Sequence, residues 1–371
     1  MSPRVLFDHG PLAGGTAFRA PGAVIRADAA QDVPAALSAL QEAQSDGKWL
    51  AGFASYELGY LFSRKLHDLL PQTRGAPLLQ FGVFDAPEPT PRDTDEDATL
   101  TPPRAQWGLD DYAPAFAALQ DFIAAGDIYQ ANLTFPLTAR RSGSIDALYA
   151  RLRAKQPAPH GALVDLGDGT LLSRSPELFF RIDEHGGLTA RPMKGTARRG
   201  GTPAQDAQNM DWLRRSEKNR AENLMITDLL RNDISRVARI GTVKVPRLFE
   251  IETYATLHQM TSTITARLNA GTTLAEIFRA LFPCGSITGA PKIRAMQILR
   301  DLEPAPRDAY CGAIGWIAPS GAMSFNVAIR TLICDATDQV RLNVGGGIVH
   351  DSTLEDEYNE ALLKARFAVL D

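Results

Sequence analysis

The sequence has 371 residues, of which 44% are hydrophobic and 22% charged, with a formal net charge of −4 at pH 7. This composition is typical of a soluble globular protein that can bury a large core without disulfide or metal cross-links. It contains neither an extended basic run nor an uncharged apolar run of about 18 residues, which argues against nucleic acid and membrane partners. Three cysteines without C-x-x-C spacing, and a start without a signal-peptide pattern, predict reduced thiols and a cytoplasmic location.

Residues 1–106 are expected to form the N-terminal portion of the fold. The stretch from Asp32 to Tyr60 predicts an amphipathic helix, a Gly-Lys turn and an aromatic strand. Residues 85–107 are rich in Pro, Asp and Thr, which predicts a long exposed connection, although a true domain boundary explains this composition equally well. Residues 107–371 would form the catalytic portion, intertwined with the first in one domain.

The catalytic portion mixes strands with helices. A helix at about Leu109–Ala125 is closed by Gly126 and leads into the strand-like "IYQANLTFPL". Residues 160–193 predict a strand meander, and residues 212–238 a helix whose apolar face includes Leu224. The remaining predicted elements are strands at 242–245, 313–317 and 340–349 and helices at 274–281, 290–300 and 354–369. Since strands outnumber β-α-β units, we predict an α+β fold of sheet layers.

The segment "DSTLEDEYNEALLKA" predicts a helix that carries acidic residues on one face. Ser352 followed by Glu355 matches a capping box, so the helix should begin at about Thr353. Glu357, Glu360 and Lys364 then share one face, because Glu360 lies three and Lys364 seven residues after Glu357. Taken alone, such acids most often form a solvated surface.

Three consecutive glycines precede this helix, Gly345 to Gly347, at the end of a predicted strand. Glycines there indicate a sharp turn or a close approach of the backbone to a ligand. Exposed N–H groups suit a carboxylate, and carboxylate oxygens suit Mg²⁺. The passage therefore suggests a site for an anionic substrate and a metal ion.

Two further residues stand out, each with an ordinary structural alternative. Lys194 follows an apolar strand residue in "RPMKGTARRG", where desolvation would favour its neutral, nucleophilic form, although surface turns often have this sequence. Glu222 lies opposite the apolar face of its helix and could be a second acidic ligand or a solvated acid.

Six blocks in this order resemble the chorismate-utilising enzymes, which include anthranilate synthase large subunits, aminodeoxychorismate synthases, and isochorismate and salicylate synthases. They are "SPELFF", "RPMKGTARRG", "AENLMITDLLRND", "GSITGAPKIRAMQIL", "YCGAIGW" and "VGGGIVHDSTLEDEYNEALLKA". The resemblance covers about two thirds of the chain, from about Asp127 to Lys364. It implies two large, mostly antiparallel β-sheets packed as a sandwich with helices outside, and makes residues 107–371 the chorismate-binding portion.

The resemblance also implies a site. Mg²⁺ would be bound by Glu222 and Glu360, with Glu357 nearby through water; Asn219 stands where the family often has a further acid. Arg330 and Tyr310 would hold the pyruvyl carboxylate, which suits the planar donor fork of arginine. The other substrate-binding residues implied are Lys364, Gly345, Gly347, Thr196 and His258.

Two positions resemble those that select the reaction within the family. Gln130 stands where isochorismate and salicylate synthases carry a water-activating lysine, and Lys194 resembles the nucleophile of the aminodeoxychorismate synthases. The resemblance also places Glu177, in "SPELFF", to protonate the leaving hydroxyl, and burial beside apolar residues would raise its pKa and suit it to that role. The implied reaction is amination of chorismate at C4 through a covalent Lys194 intermediate.

No cysteine occupies a nucleophile-elbow context, so we expect ammonia to come from a separate glutamine amidotransferase subunit. Two alternatives remain. One is anthranilate synthase component I, and the other is a non-catalytic regulatory or ligand-binding homologue.

Overall fold

The computed structural model describes residues 3–90, 96–254 and 257–370. The first eleven strands are β1 (Arg4–Phe7), β2 (Thr16–Arg19), β3 (Ala23–Ala27), β4 (Trp49–Ala54), β5 (Leu79–Phe84), β6 (Glu88–Pro89), β7 (Ala98–Leu100), β8 (Arg104–Ala105), β9 (Gln130–Gly143), β10 (His160–Asp165) and β11 (Thr170–Ser175). The next ten are β12 (Leu178–Ile182), β13 (Gly187–Ala190), β14 (Met193–Arg198), β15 (Lys244–Thr253), β16 (Leu257–Arg267), β17 (Gly289–Ala290), β18 (Ala313–Ile317), β19 (Met323–Val327), β20 (Thr331–Cys334) and β21 (Gln339–Ile348).

Eight α-helices accompany these strands in the described ranges. They are α1 (Val33–Ser45), α2 (Leu109–Ala124), α3 (Ile145–Lys155), α4 (Pro203–Arg215), α5 (Glu217–Ser235), α6 (Leu274–Leu281), α7 (Lys292–Leu302) and α8 (Leu354–Leu363). Short 3₁₀ turns include Tyr56–Phe62, Gly285–Ile287 and Lys364–Ala368. None of the helices in the described ranges is long and apolar enough to cross a membrane.

Within the described residues, the strands form two sheets. The first has eleven strands in the order β17-β9-β21-β20-β11-β10-β1-β2-β6, with β7 and β8 also paired to β9. The second has ten in the order β14-β16-β13-β12-β19-β18-β4-β5-β3, with β15 paired to β16. Each described pairing of named strands is antiparallel, so the predicted α+β class with two antiparallel sheets is confirmed. Both sheets combine strands from before residue 106 with strands from after it, since β1 pairs with β10 and β4 with β18.

The core lies in three layers because side chains alternate along each strand. Val5 and Phe7 of the first sheet pack in one apolar cluster with Ala51 and Phe53 of the second, which places this cluster between the sheets. Leu50, next to Ala51, belongs instead to the cluster that α1, α5 and α6 complete on the outer face of the second sheet. Helices α2, α3, α7 and α8 cover the outer face of the first sheet.

The predicted meander over residues 160–193 is wrong in one respect. All its strands are present, but β10 and β11 lie in the first sheet and β12 and β13 in the second. The chain therefore crosses between the sheets at Pro176 and Glu177. This crossing buries Glu177, which is only 4% exposed.

The long exposed connection predicted for residues 85–107 is also wrong in part. Residues 91–95 lie outside the described residues. The short strand β6 pairs with β2, and both β7 and β8 pair with β9. Ala98 and Leu100 are only 2% and 5% exposed, because this pairing presses them against the first sheet despite the polar surroundings in sequence.

The predicted helix over residues 212–238 is two helices, α4 and α5, that meet at Ser216. The Ser216 hydroxyl accepts a hydrogen bond from the Asn219 N–H and so caps α5. Leu224, predicted on the apolar face, is 43% exposed. The polar residues Asn223 and Thr227 are buried instead, and Asn223 bonds the Met260 carbonyl of β16.

Candidate active site

Helix α8 begins one residue later than the predicted cap implies. The hydroxyl of Thr353 accepts a hydrogen bond from the Asp356 N–H, so Thr353 rather than Ser352 is the cap. Ser352 instead donates from Oγ to Glu357 Oε1 at 2.6 Å. The hydroxyl expected to start the helix therefore orients one of its carboxylates.

Three glutamates face a common region, two from α8 and one from α5. Burial raises the pKa of Glu357 and of Glu222, and the negative charge of Glu360 raises both further. The ammonium group of Lys364 lies 2.9 Å from Glu360 Oε1, and its charge holds the pKa of Glu360 below the usual value. Lys364 also donates to the Gly345 carbonyl at 2.8 Å, which ties α8 to β21.

These carboxylates were predicted to bind Mg²⁺. Within the described ranges, no three His, Cys, Asp or Glu side chains are arranged to hold a metal ion. The oxygen donors are nevertheless of the type that Mg²⁺ prefers, and their mutual repulsion would be relieved by a cation. Asn219, which replaces a family acid, donates from Nδ2 to its own helix cap at Ser216, 2.8 Å away.

Lys194 and Gln130 approach β21 from opposite sheets at Gly347. A Cβ built on Gly347 would lie 3.4 Å from Lys194 Nζ and would collide with Gln130 Nε2. A Cβ on Gly346 would lie 2.9 Å from Glu357 Oε2. Strand β21 continues through the glycines, so the expected sharp turn is absent there and close approach explains them.

The polar atoms at this point are unsatisfied within the described part of the protein. Gln130 is 1% exposed and its Oε1 has no hydrogen-bond partner there, a costly arrangement unless a ligand supplies a donor. Lys194 Nζ makes no hydrogen bond or ion pair to a described residue, yet its charge lowers the pKa of Glu177, Glu222 and Glu360. The structure thus brings the predicted nucleophile, acid and carboxylates together.

Glu177 has the properties of a proton donor near neutral pH. Burial raises its pKa to about 7, against the opposing effects of the Ser286 hydrogen bond and the Lys194 charge. Ser286 donates from Oγ to Glu177 Oε1 at 2.7 Å. Ser286 is not predicted from the sequence, although it lies in the block "GSITGAPK". No local pattern there indicates a bond to Glu177, 109 positions away.

Tyr310 and Arg330 lie on two segments joined by backbone hydrogen bonds. The Cys311 N–H donates to the Ala328 carbonyl, and the Ala328 N–H donates to the Gly312 carbonyl, each at 3.0 Å. Arg330 has a left-handed φ of 51°, and burial lowers its pKa. Its guanidinium has no hydrogen bond or ion pair to any described residue, so it can receive a carboxylate.

Thr196 and His258 lie on the neighbouring strands β14 and β16. Thr196 is exposed and donates to Gln259 Oε1 at 3.1 Å. His258 is fully buried, with its ring nitrogens 3.0 Å from Thr253 Oγ1 and 2.8 Å from Asp206 Oδ1. Neither ring nitrogen is available to a ligand in this arrangement, and the pocket-lining role stays a prediction.

Comparison with known proteins shows the family and the fold of the chain. Residues 3–369 match the family described as chorismate binding enzyme. Over 278 residues the chain is 43% identical to an aminodeoxychorismate synthase of Streptomyces griseus, covering 75% of this chain and 38% of that protein. It is 43% identical over 270 residues to aminodeoxychorismate synthase component 1 of Escherichia coli K12, covering 72% and 59%.

These matches therefore span about two fifths to three fifths of the relatives' own length. Among solved structures, anthranilate synthase component I from Streptococcus pneumoniae TIGR4 superposes with a TM-score of 0.82 at 23% identity, covering 99% of this chain and 92% of that one. MenF, an isochorismate synthase from Escherichia coli, superposes with a TM-score of 0.75 at 18% identity, covering 99% and 89%. At these identities the structural likeness establishes the fold.

Proposed function

The chain belongs to the chorismate binding enzyme family, and we propose that it converts chorismate and ammonia to 4-amino-4-deoxychorismate and water, the transferase reaction of an aminodeoxychorismate synthase. The observation that carries the proposal is the meeting of Lys194 and Gln130 at Gly347. In the proposed reaction the Lys194 amine is the nucleophile, and the Gln130 amide stands in place of a lysine that would activate water. The relatives named aminodeoxychorismate synthase support this choice.

The covalent step uses Lys194 as nucleophile. Its neutral amine attacks C2 of the ring, the two ring double bonds shift, and the C4–O bond breaks. Glu177 gives its proton to the departing oxygen, so that water leaves, a role suited to a pKa of about 7. Ammonia then adds at C4, the double bonds shift back, and the C2–N bond to Lys194 breaks.

The other site residues would bind and orient the substrate. Glu222 and Glu360 would hold Mg²⁺, with Glu357 nearby through water, and the ion would supply Lewis-acid charge for the ring carboxylate of the substrate. The guanidinium of Arg330, with Tyr310, would hold the pyruvyl carboxylate. The remaining proposed contacts to substrate are Lys364, Gly345, Gly347, Thr196, His258 and Gln130.

We propose a separate glutamine amidotransferase subunit as the source of ammonia, since relatives are named component 1 of the synthase. Aminodeoxychorismate would then be the precursor of para-aminobenzoate, after a lyase removes the pyruvyl group, and so of folate.

The test is product analysis of the purified protein with chorismate, Mg²⁺ and ammonium. We expect a product that an aminodeoxychorismate lyase converts to para-aminobenzoate. Fluorescent anthranilate would establish the anthranilate synthase alternative. Unchanged chorismate under conditions where the protein binds it would indicate a non-catalytic homologue and overturn the proposal.

A further inference from the structure

Arg307 lies at the junction of several segments that carry proposed site residues. It is only 1% exposed. Its guanidinium donates to both Glu303 oxygens, at 2.9 and 2.6 Å, to the Ile287 carbonyl at 2.8 Å and to the Asn132 carbonyl at 2.7 Å. One planar fork of donors thus ties the end of α7, the Gly285–Ile287 turn and strand β9 together.

The backbone around Arg307 is held by the N-terminal portion of the chain. The Arg307 N–H donates to Glu57 Oε1 at 2.8 Å, and the Tyr56 N–H donates to the Asp308 carbonyl at 2.8 Å. The Tyr56 ring stacks under the guanidinium, with 4.3 Å from its centroid to Cζ. Asp308 and Cys311 both have positive φ, so this loop adopts a conformation that needs such support.

Each segment that Arg307 contacts leads to a proposed site residue. Ile287 follows Ser286, which bonds Glu177. Asn132 lies two residues from Gln130 on β9, so both side chains point to the same face. Tyr310 lies three residues after Arg307, and its N–H donates to the Arg307 carbonyl at 3.1 Å.

We propose that Arg307 is a positioning residue, which sets the relative placement of the proton donor Glu177, the reaction-selecting Gln130 and the carboxylate-binding Tyr310. It does so through backbone carbonyls and its own loop rather than by touching substrate. Glu57 and Tyr56 extend this control to the N-terminal portion. The catalytic part of the inference rests on the proposed function, whereas the mechanical coupling of the three segments does not.

The test compares Arg307→Lys with Arg174→Lys. A lysine ammonium cannot span the Glu303 carboxylate and two carbonyls, so the tie between segments should be lost. Arg174 is equally buried, but its guanidinium bonds Asp8 and the Gln156 carbonyl, away from the three segments. Arg174→Lys therefore controls for the general cost of replacing a buried arginine.

We expect both variants to melt at lower temperature. Only Arg307→Lys should increase amide hydrogen exchange in residues 130–134, 285–288 and 307–312 together, measured by mass spectrometry on folded protein without substrate. It should also lower kcat/KM by about 10- to 100-fold and move the pH dependence that Glu177 imparts. Equal exchange in the two variants, with unchanged kcat/KM and pH profile, would overturn the proposal.

A second pair covers the case in which Arg307→Lys does not fold. Glu57→Gln keeps an oxygen acceptor for the Arg307 N–H, whereas Glu57→Leu removes it. Exchange over residues 307–312 should rise in the leucine variant alone, and equal exchange in both would refute the coupling. Since the exchange measurement needs no turnover, an inactive wild type would reject the proposed function and leave this result to stand separately.

Discussion

Ser286 donates a hydrogen bond to Glu177 across 2.7 Å, and this bond opposes the burial that raises the pKa of that carboxyl to about 7. A proton donor works only while protonated, so kcat at saturating ammonia should fall as pH rises through about 7. Removing the bond in Ser286→Ala should raise the Glu177 pKa and move this fall to higher pH. Profiles of kcat against pH for wild type and Ser286→Ala test this, and a fall that stays in place would remove Glu177 from the acid role.

Lys194 should be replaceable by neither alanine nor arginine, because a guanidinium stays protonated and cannot attack carbon. We expect both variants to lose most aminodeoxychorismate formation. Low activity should remain where small external amines substitute for the Lys194 amine. Intact-mass measurement of wild type with chorismate and Mg²⁺, without ammonia, should show an adduct that Lys194→Ala lacks. Lys244→Arg, at an exposed strand start, is the control. A fully active Lys194→Arg without a wild-type adduct would favour direct attack by ammonia.

Glu360→Gln and Glu222→Gln should each lower turnover at ordinary Mg²⁺ by about 100-fold or more, since several kcal/mol of charge stabilisation would be lost. Glu355→Gln, an exposed acid on the same α8 helix, should leave turnover unchanged. Magnesium binding measured by calorimetry gives a readout besides activity. Wild-type magnesium affinity in both site variants would contradict the assignment of these two ligands.

Glu57 should make the protein less stable as pH rises. Burial raises its pKa from 4.5 to about 8, so the folded state holds a proton that the unfolded chain releases above about 4.5. The stabilisation is complete below pH 4.5 and is lost progressively as pH rises to about 8. Each pKa unit corresponds to roughly 1.4 kcal/mol. The Tm of Glu57→Gln should therefore fall less than that of wild type between pH 6 and 9, whereas exposed Glu42→Gln should follow wild type.

Glutamine should not support turnover by this 371-residue chain alone. All three cysteines are buried, and burial raises the pKa of each thiol to about 12, so none can supply a glutaminase thiolate. Ammonium at high pH should support turnover alone, and glutamine only after a separate amidotransferase is added. Glutamine-dependent activity of the homogeneous protein would contradict this prediction.

The sequence predicts most helices and strands because their periodicity is local, and α6 and β18 have the predicted bounds. Caps are harder. Ser352 with Glu355 matches the capping-box pattern, yet the cap is Thr353, while the Ser352 hydroxyl bonds Glu357 instead. The sequence also does not predict that Leu224 is exposed and Asn223 buried, because the Asn223 amide is satisfied by a carbonyl of β16, which is distant in sequence.

The site was predicted residue by residue through family resemblance rather than through pattern. Lys194, Gln130 and Gly347 are far apart in sequence, and only the pairing of β9 with β21 and the stacking of two sheets bring them together. Arg307 could not be found in this way, because its guanidinium bonds two backbone carbonyls, which any sequence supplies, and the Glu303 carboxylate.

The glycine pair of β21 limits how this site can change. Gly346 and Gly347 present only backbone to the residues around them, and a Cβ at Gly347 would displace the Gln130 amide. Mutation therefore has little to vary on the strand itself, and a new reaction must come from exchanging the side chains that approach it. On the proposed function, a change at position 130 or 194 alters the attacking group while the backbone of β21 keeps its shape. Evolution on this fold would then be expected to switch nucleophiles by single substitutions.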